Sequence, residues 1–121
     1  MIISEYLDGG ELFERIVDEE LVESDCSHFI RQVCHGLDYI HDKDIVHLDI
    51  KPENIVITKS GGRDIKIVDM GSAVQLIEGA RVRAMVGTPE FVSPEVVSYE
   101  DIHTNTDMVR FKLSSLDSFH I

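Results

Sequence analysis

The sequence is poor in basic residues, with 11 lysines and arginines against 23 aspartates and glutamates among its 121 residues. A formal net charge of −12 disfavours a nucleic-acid partner or an anionic membrane surface, both of which need basic contact residues. The acidic excess is compatible with attraction of basic peptides and equally with a solvated surface that keeps the protein soluble. The sequence therefore predicts no nucleic acid and no membrane among the partners.

Long hydrophobic runs are also absent, and none approaches the ~20 residues that a transmembrane helix needs. The apolar residues 1–3 are followed at once by Ser4 and Glu5, which is unlike a secretory signal. The only cysteines, Cys26 and Cys34, stand too far apart along an expected helix to form a disulfide. Reduced thiols and the lack of a signal predict a cytoplasmic protein.

The composition suits a globular core, with 43% hydrophobic residues, and the apolar spacing indicates both helices and strands. Residues 11–17 predict a short helix, and Ser24 is expected to cap a long helix that ends at His41. Residues 55–58 and 65–68 predict a β-hairpin because both are rich in β-branched residues and a glycine-containing turn lies between them.

Three other segments carry weaker patterns. Residues 1–3 are interpreted as the end of a buried strand. Residues 72–84 lack a strong periodicity, which favours a mobile loop, and residues 109–121 have scattered apolar positions with no clean period.

The segment at 47–57, HLDIKPENIVI, carries Asp49, Lys51 and Asn54 in a loop that Pro52 keeps from being helical. An aspartate can accept a proton from a substrate hydroxyl, a lysine can neutralise a transferring phosphate, and an asparagine can offer an oxygen to magnesium. The same residues are also compatible with a polar surface loop between a helix and a strand. The loop alone does not decide between these interpretations.

Two further motifs follow the loop, VDMGSA at 68–73 and GTPEFVSPEV at 87–96. With HLDIKPEN at 47–54, they resemble, in order and spacing, the catalytic loop, the metal-binding turn and the end of the activation segment of eukaryotic protein kinases. EYLDGGELFERI at 5–16 resembles the hinge and following helix of the calcium/calmodulin-dependent group, nearest to the myosin-light-chain, titin-like and death-associated kinases. The likeness extends over residues 2–108.

The resemblance implies a serine/threonine protein kinase that uses ATP and Mg²⁺ and transfers the γ-phosphate to protein hydroxyls. Its implied site residues fall into four groups by role: catalytic Asp49, Lys51, Asn54 and Thr88; metal-binding Asn54 and Asp69; nucleotide-binding Glu5, Leu7, Glu11, Leu12 and Val56; and substrate-binding Glu11 and Glu53.

The implied partner is a protein substrate with basic residues near the target serine or threonine. Glu11 and Glu53 would contact those residues, although a solvated acidic face is the alternative for each. Lys51-Pro52 with Thr88 implies serine/threonine rather than tyrosine specificity. The resemblance leaves calmodulin binding, through regions outside this chain, as an open alternative.

The resemblance implies an α+β, protein-kinase-like fold in which residues 1–108 form a mainly helical C-terminal lobe with a short β-hairpin. A glycine-rich loop, a strand lysine and a helix glutamate are not found, so the N-terminal lobe is expected to be missing. Residues 109–121 are expected to be a divergent tail, and Asp107 is expected to brace the catalytic loop. This chain alone is therefore expected to be inactive, and a truncated non-catalytic isoform or a pseudokinase-like binding fragment is the alternative.

Leu48 stands where many of these kinases have an arginine that holds a phosphorylated activation loop. A leucine cannot pair with a phosphate. The sequence therefore predicts that activity would not depend on phosphorylation of that loop.

Overall fold

A computed structural model describes residues 1–19 and 21–118, with side chains described as far as residue 114. Glu20 and residues 119–121, the end of the expected tail, lie outside the described residues. Helices and two small antiparallel sheets make up an α+β arrangement. The helices are α1 Leu12–Asp18, α2 Glu23–His41, α3 Pro94–Val97 and α4 Asn105–Ser118, the strands are β1 Ile45–Val46, β2 Ile55–Ile57, β3 Ile65–Ile67 and β4 Val74–Gln75, and the 3₁₀ turns are Pro52–Asn54, Met70–Ser72 and Pro89–Phe91.

Helix α2 confirms the predicted long helix and lies at the centre of the core. Phe29, Val33 and Leu37 follow one another at intervals of four residues and are all buried, as one face of an amphipathic helix should be. The prediction that Ser24 caps this helix is wrong, because the helix begins at Glu23 and its N-cap is Val22, two residues before Ser24 and without a side-chain hydrogen bond. Acidic side chains in the first turn, including Glu23, still favour this end through the helix dipole.

The main hydrophobic core joins the buried face of α2 to residues from four other segments. Leu12 comes from α1, Ile50 from the loop after β1, Ile55 from β2 and Phe111 from α4. Because apolar burial stabilises at roughly 25 cal/mol per Å², this shared core holds the loop after β1 between two helices and a strand.

Strands β2 and β3 confirm the predicted hairpin, with Ile55 opposite Ile67 and Ile57 opposite Ile65. The backbone before α1 continues this sheet on the other side of β2. Gly9 donates to the Ile57 carbonyl at 3.1 Å, and the Ile57 N–H donates to Gly10 at 2.9 Å. A Cβ at Gly9 would lie 2.3 Å from the Ile57 oxygen, so this close approach requires glycine.

Strands β1 and β4 form a second, two-stranded sheet that the sequence did not indicate. Val46 lies opposite Val74 and Ile45 opposite Gln75. The expectation of an irregular mobile loop over residues 72–84 is therefore wrong at its start. A two-residue strand is too short to show a periodicity, which is why the pattern missed it.

Helix α4 runs from Asn105 to Ser118 and passes through the residue at which the expected tail begins. Arg110, Phe111 and Ser114 share its buried face. Two of these three buried residues are polar, so a search for apolar periodicity could not detect the helix.

The interpretation of residues 1–3 as the end of a buried strand is wrong for the structure described. These residues form no strand, and their side chains are exposed. In the described part of the chain no neighbouring strand pairs with them. Among the described helices, none has the length and hydrophobicity needed to cross a bilayer.

Replacement of Leu37 by alanine is expected to lower the free energy of unfolding by about 2–5 kcal/mol, because it leaves a cavity where α2 meets the core. His35→Ala is the matched control, since His35 lies on the exposed face of the same helix, and it should change stability by less than about 0.5 kcal/mol. Urea denaturation followed by circular dichroism measures both values. Equal losses would contradict the assignment of the buried face.

Candidate active site

The loop that follows β1 is held by one buried carboxylate, that of Asp107 at the start of α4. Its Oδ2 accepts hydrogen bonds from the backbone N–H of His47 and from Nε2 of His41, both at 2.8 Å. Its Oδ1 accepts from the backbone N–H of Leu48, also at 2.8 Å. The expectation that Asp107 braces the loop is confirmed by these bonds.

Leu48 has a left-handed backbone, with φ of 64°, which is uncommon for a residue that carries a Cβ. Its side chain packs in a second buried cluster with Val46, Val96 and Ile102. The two bonds to Asp107 and this apolar packing together offset the backbone strain.

His47 links the loop to the end of β3, a role that the sequence analysis did not assign to it. Its Nε2 lies 2.9 Å from the carbonyl oxygen of Val68, and its Nδ1 lies 3.2 Å from the backbone N–H of Asp49. Because the Asp49 N–H donates to Nδ1, the ring proton belongs on Nε2, which donates to Val68. The buried ring thus fixes the distance between the loop and the hairpin.

The carboxylate of Asp49 is the centre of the site. Its Oδ1 accepts from the Thr88 N–H at 3.1 Å, the Thr88 hydroxyl at 3.0 Å and Nη2 of Arg110 at 3.1 Å. Its Oδ2 lies 3.3 Å from Nζ of Lys51 and 3.2 Å from Nδ2 of Asn54. Lys51 also donates to the Thr88 hydroxyl at 2.7 Å. The structure therefore brings together all four residues that the resemblance implied for catalysis.

The pKa of Asp49 lies below its usual value. Burial of this carboxyl raises its pKa, but the hydrogen bonds from Thr88 and the positive charge of Lys51 together outweigh that effect. Asp49 is therefore ionised near neutral pH. Because its pKa is depressed in the folded state, the stability that it contributes is present above the ordinary aspartate pKa and is lost as the pH falls through the folded-state pKa.

Asn54 and Asp69, the implied metal ligands, lie on neighbouring segments. The Val68 N–H donates to the Asn54 carbonyl at 2.9 Å, so Asp69 directly follows the residue that is tied to Asn54. Asn54 uses its side-chain N–H₂ on the Asp49 carbonyl oxygen at 2.9 Å, which leaves its amide oxygen as the donor atom for a cation. Asp69 has a left-handed backbone, with φ of 61°, and an exposed side chain whose Oδ1 accepts from the Gly71 N–H.

These two oxygen donors suit a magnesium ion. Mg²⁺ is commonly held by one or two carboxylates or similar oxygens and takes its other ligands from water and phosphate. Among the described residues, no group of three histidine, cysteine, aspartate or glutamate side chains could hold a metal. The donor set therefore fits magnesium bound together with a phosphate rather than a metal enclosed by the protein.

Of the residues implied for nucleotide binding, Val56 is on β2, and the others lie within residues 5–12, a segment that pairs with β2 through Gly9, Gly10 and Glu11. Glu11 forms an isolated antiparallel bridge with Val56, whose side chain is half-buried. Glu5 is exposed and paired with Lys66. Leu7, which the resemblance also places here, is half-buried.

Leu12 requires a correction. It was expected to lie against the base, but it is 1% exposed and packs in the main core with Ile55. Because its side chain is buried in this core, Leu12 does not contact a ligand directly and instead supports β2. Glu53, implied for substrate binding, is exposed in the 3₁₀ turn beside the catalytic loop.

Arg110 is the site residue that sequence reasoning missed. It lies on α4, two residues beyond the expected end of the kinase-like region, and it is fully buried. The sequence around Arg110 has no apolar periodicity, so its role could not be predicted from the sequence. The contact with Asp49 becomes visible only when the residue is placed on α4.

Comparison with known families defines the class of protein. Residues 1–110 match the family model described as "Protein kinase domain". This match covers most of the 121 residues, so the chain belongs to the protein kinase family.

Individual relatives confirm the expected likeness to the myosin-light-chain kinases. The chain is 48% identical over 110 residues to "Myosin light chain kinase, smooth muscle" of Gallus gallus, covering 89% of this chain and 6% of that protein. It is 49% identical over 109 residues to "Myosin light chain kinase 3" of Danio rerio, covering 88% of this chain and 15% of that protein. It is 46% identical over 110 residues to "Myosin light chain kinase 2, skeletal/cardiac muscle" of Homo sapiens, covering 89% of this chain and 18% of that protein. The chain thus spans less than a fifth of the length of these relatives.

Replacement of Asp107 by alanine is expected to destabilise the protein by about 3–5 kcal/mol, because it leaves the buried backbone N–H groups of His47 and Leu48 without an acceptor. Asp101→Ala is the control. Asp101 pairs with two exposed arginines, and such surface pairs contribute about 1 kcal/mol or less. Thermal and urea unfolding of both variants check the difference, and similar losses would contradict the role given to Asp107.

Proposed function

We propose that this chain carries the phosphoryl-transfer centre of a serine/threonine protein kinase that uses ATP and Mg²⁺. The observation that supports it most is the convergence of Lys51, Asn54 and Thr88 on the carboxylate of Asp49, all within 3.3 Å. Phosphoryl transfer depends mainly on positioning and charge stabilisation, and this cluster supplies both.

In the proposed mechanism, Asp49 orients the substrate hydroxyl and accepts its proton at a carboxylate oxygen. Lys51 lies beside it and stabilises the negative charge on the transferred group. The hydroxyl of Thr88 is hydrogen-bonded to both Asp49 and Lys51 and so fixes the position of one side chain relative to the other. Asn54 and Asp69 would hold magnesium, which supplies charge neutralisation for the phosphates of ATP.

The surface around Val56 of β2 is the proposed adenine site. Val56 would lie against the base, and Leu12 would support it from the core. Backbone groups of Glu5 and Leu7 would reach the adenine edge, and the Glu11 side chain would reach the ribose.

The proposed partner is a protein substrate with basic residues near its target serine or threonine. Glu53 is exposed beside the catalytic loop, and Glu11 is half-buried and forms a bridge with Val56 of β2. The net charge of −12 favours approach of such a substrate. Because the relatives are named as myosin light chain kinases, a myosin light chain is the first substrate to test. Calmodulin binding would involve regions outside these residues.

The helices and the hairpin support assignment of residues 1–108 to the C-terminal lobe of a kinase domain, with residues 109–121 as a divergent tail. Helix α4 crosses that boundary. A cytoplasmic location remains part of the proposal, and both described cysteines are free thiols, as such a location would require.

A non-catalytic binding role is the second candidate, and one observation favours it. Five donors, from Lys51, Asn54, Thr88 and Arg110, already surround the two oxygens of Asp49. A carboxylate has about four lone-pair positions, so a substrate hydroxyl would compete with groups of the protein itself.

The test of the proposed function is Mg²⁺-dependent phosphate transfer from labelled ATP to a serine peptide with upstream arginines. Because this chain alone is expected to be inactive, it is measured with these residues in place of the matching segment of a myosin light chain kinase. Asp69→Ala should lower the rate at least about 100-fold, since it removes a ligand of the cation that neutralises the phosphates. Asp38→Ala, on the exposed face of α2, is the matched control and should leave the rate unchanged.

NMR detection of the Asn54 side-chain amide during titration with Mg²⁺ and ATP separates the two candidates. Transfer that is lost with Asp69→Ala supports the kinase. A Mg²⁺-dependent shift of the Asn54 signal without any transfer by the kinase that carries these residues would contradict catalysis and support the binding role.

Phosphorylation of Ser72 or Thr88 is not expected to raise activity, because Leu48 is buried in an apolar cluster and offers no charge for a phosphate. The measurement compares peptide phosphorylation before and after treatment with a broad-specificity phosphatase, with mass spectrometry to establish the phosphate content. A large fall in activity on removal of phosphate would contradict this expectation.

A further inference from the structure

The segment that leads into the GTPE motif is joined to the loop after α3 by one carboxylate, that of Asp101. Its Oδ1 accepts a hydrogen bond from Nε of Arg83 at 3.1 Å, and its Oδ2 lies 3.6 Å from Nε of Arg81. The Asp101 side chain is only 33% exposed, so water and salt screen these pairs less than they screen a pair in open solvent. One acidic group thus meets two cations of the same segment.

The burial pattern of residues 81–86 explains how one carboxylate can reach both arginines. The odd-numbered residues of this segment are exposed, and the even-numbered ones are half-buried. Alternation of this kind is the pattern of an extended chain, whose successive side chains point to opposite sides. Arg81 and Arg83 therefore share the outer face, while Ala84 and Val86 pack inward against the second buried cluster.

Two further contacts join the same parts of the chain. The backbone N–H of Ile102 donates to the carbonyl oxygen of Val82 at 2.8 Å. The guanidinium of Arg83 lies over the ring of Tyr99, 5.8 Å from the ring centroid. Tyr99 has a left-handed backbone, with φ of 55°, which is uncommon for a bulky side chain. An ion-pair cluster, a backbone hydrogen bond and a cation–π contact therefore fix one register between the two parts of the chain.

This register decides where Thr88 lies. Thr88 follows Arg83 by five residues, and its N–H and hydroxyl both donate to Oδ1 of Asp49, at 3.1 and 3.0 Å. A shift by one residue would turn both arginines away from Asp101 and would move the chain by about 3.3 Å. A hydrogen bond does not survive a displacement of that size.

We propose that Asp101 is a positioning residue, which acts through Arg81 and Arg83 to hold Thr88 in place for the reaction. This inference rests on the proposed function, in which Thr88 fixes the catalytic aspartate and lysine relative to each other. Asp101 itself touches neither of these two groups in the proposal. Its effect on the reaction is carried by the register of residues 81–86.

The same pairing accounts for an ordered segment that needs no phosphate. Many related kinases hold this segment through a phosphate bound to an arginine, and Leu48 stands at the position of that arginine. In this chain the arginines belong to the segment, and the acidic partner is the permanent carboxylate of Asp101. The charges are thus present without any modification.

The alternative is a surface ion pair that has no effect on the site. Many exposed pairs contribute little to stability, and both interpretations predict almost no change in global stability when Asp101 is replaced. They differ in the local protection of Thr88 and in turnover. Only a positioning role connects the charge of Asp101 to these two quantities.

The experiment uses the myosin light chain kinase in which these residues replace the matching segment. It compares Asp101→Asn, which removes the charge at nearly constant size, with Asp101→Glu, which keeps the carboxylate. Arg83→Gln removes one partner, and its combination with Asp101→Asn tests whether the two residues act together. Asp38→Asn, on the exposed face of α2, controls for loss of a negative charge.

Two quantities are measured: hydrogen–deuterium exchange of the peptide that contains Thr88, by mass spectrometry, and kcat and KM for phosphate transfer. Asp101→Asn should speed exchange at Thr88 about threefold or more and lower kcat at least about twofold, because two partly exposed ion pairs are lost. The KM for ATP should not change, since the proposed adenine site lies on β2. Arg83→Gln should act in the same direction, and the double variant should equal Asp101→Asn.

Asp101→Glu and Asp38→Asn should match the unmodified kinase. Unchanged exchange and kcat in Asp101→Asn would overturn the proposal, as would a lower kcat without faster exchange at Thr88. Faster exchange throughout the protein would indicate global destabilisation and would also reject it. Faster exchange confined to the Thr88 peptide, without transfer by any variant or by the unmodified kinase, would contradict the proposed function and still support the connection between Asp101 and Thr88.

Discussion

The structure depends on the buried carboxylate of Asp107, which accepts hydrogen bonds from two consecutive backbone N–H groups and from a histidine of α2. Without it, only the apolar packing of Leu48 would offset the strain of its left-handed backbone, and two backbone N–H groups of the loop would lose their acceptor. The polar site is thus supported by the three hydrogen bonds of one buried carboxylate. Ile50, on the same loop, lies in the main core, so packing and hydrogen bonding fix the loop from opposite sides.

The hairpin and the catalytic loop could be predicted because their information is local. The β-branched residues at 55–57 and 65–67 favour strands whose register the turn then fixes. Asp49, Lys51 and Asn54 lie within six residues of each other in the sequence, and a motif of that length can be read without knowledge of the fold.

The remaining features could not be predicted because their partners are distant or their patterns are polar. The β1–β4 pair consists of two-residue strands, and the buried face of α4 carries an arginine and a serine. Leu12 has the right position in the sequence for a ligand contact, but only the structure shows that the core covers it. The pairing of Arg110 with Asp49 spans 61 positions and depends on the rotation of α4 about its axis, which no local pattern records.

The hydrogen bonds of Asp107 also affect the order in which parts of the structure form during folding. They connect residues 59, 60 and 66 positions apart, whereas β2 and β3 pair across a short turn. Closing such long loops costs more entropy than forming a hairpin, so contacts of this kind form late in folding. On the ribosome, the loop cannot adopt its final conformation until Asp107 has been synthesised and has left the exit tunnel. In a newly made molecule, Asp49 therefore reaches its final position only after the start of α4, about sixty residues later, has been synthesised.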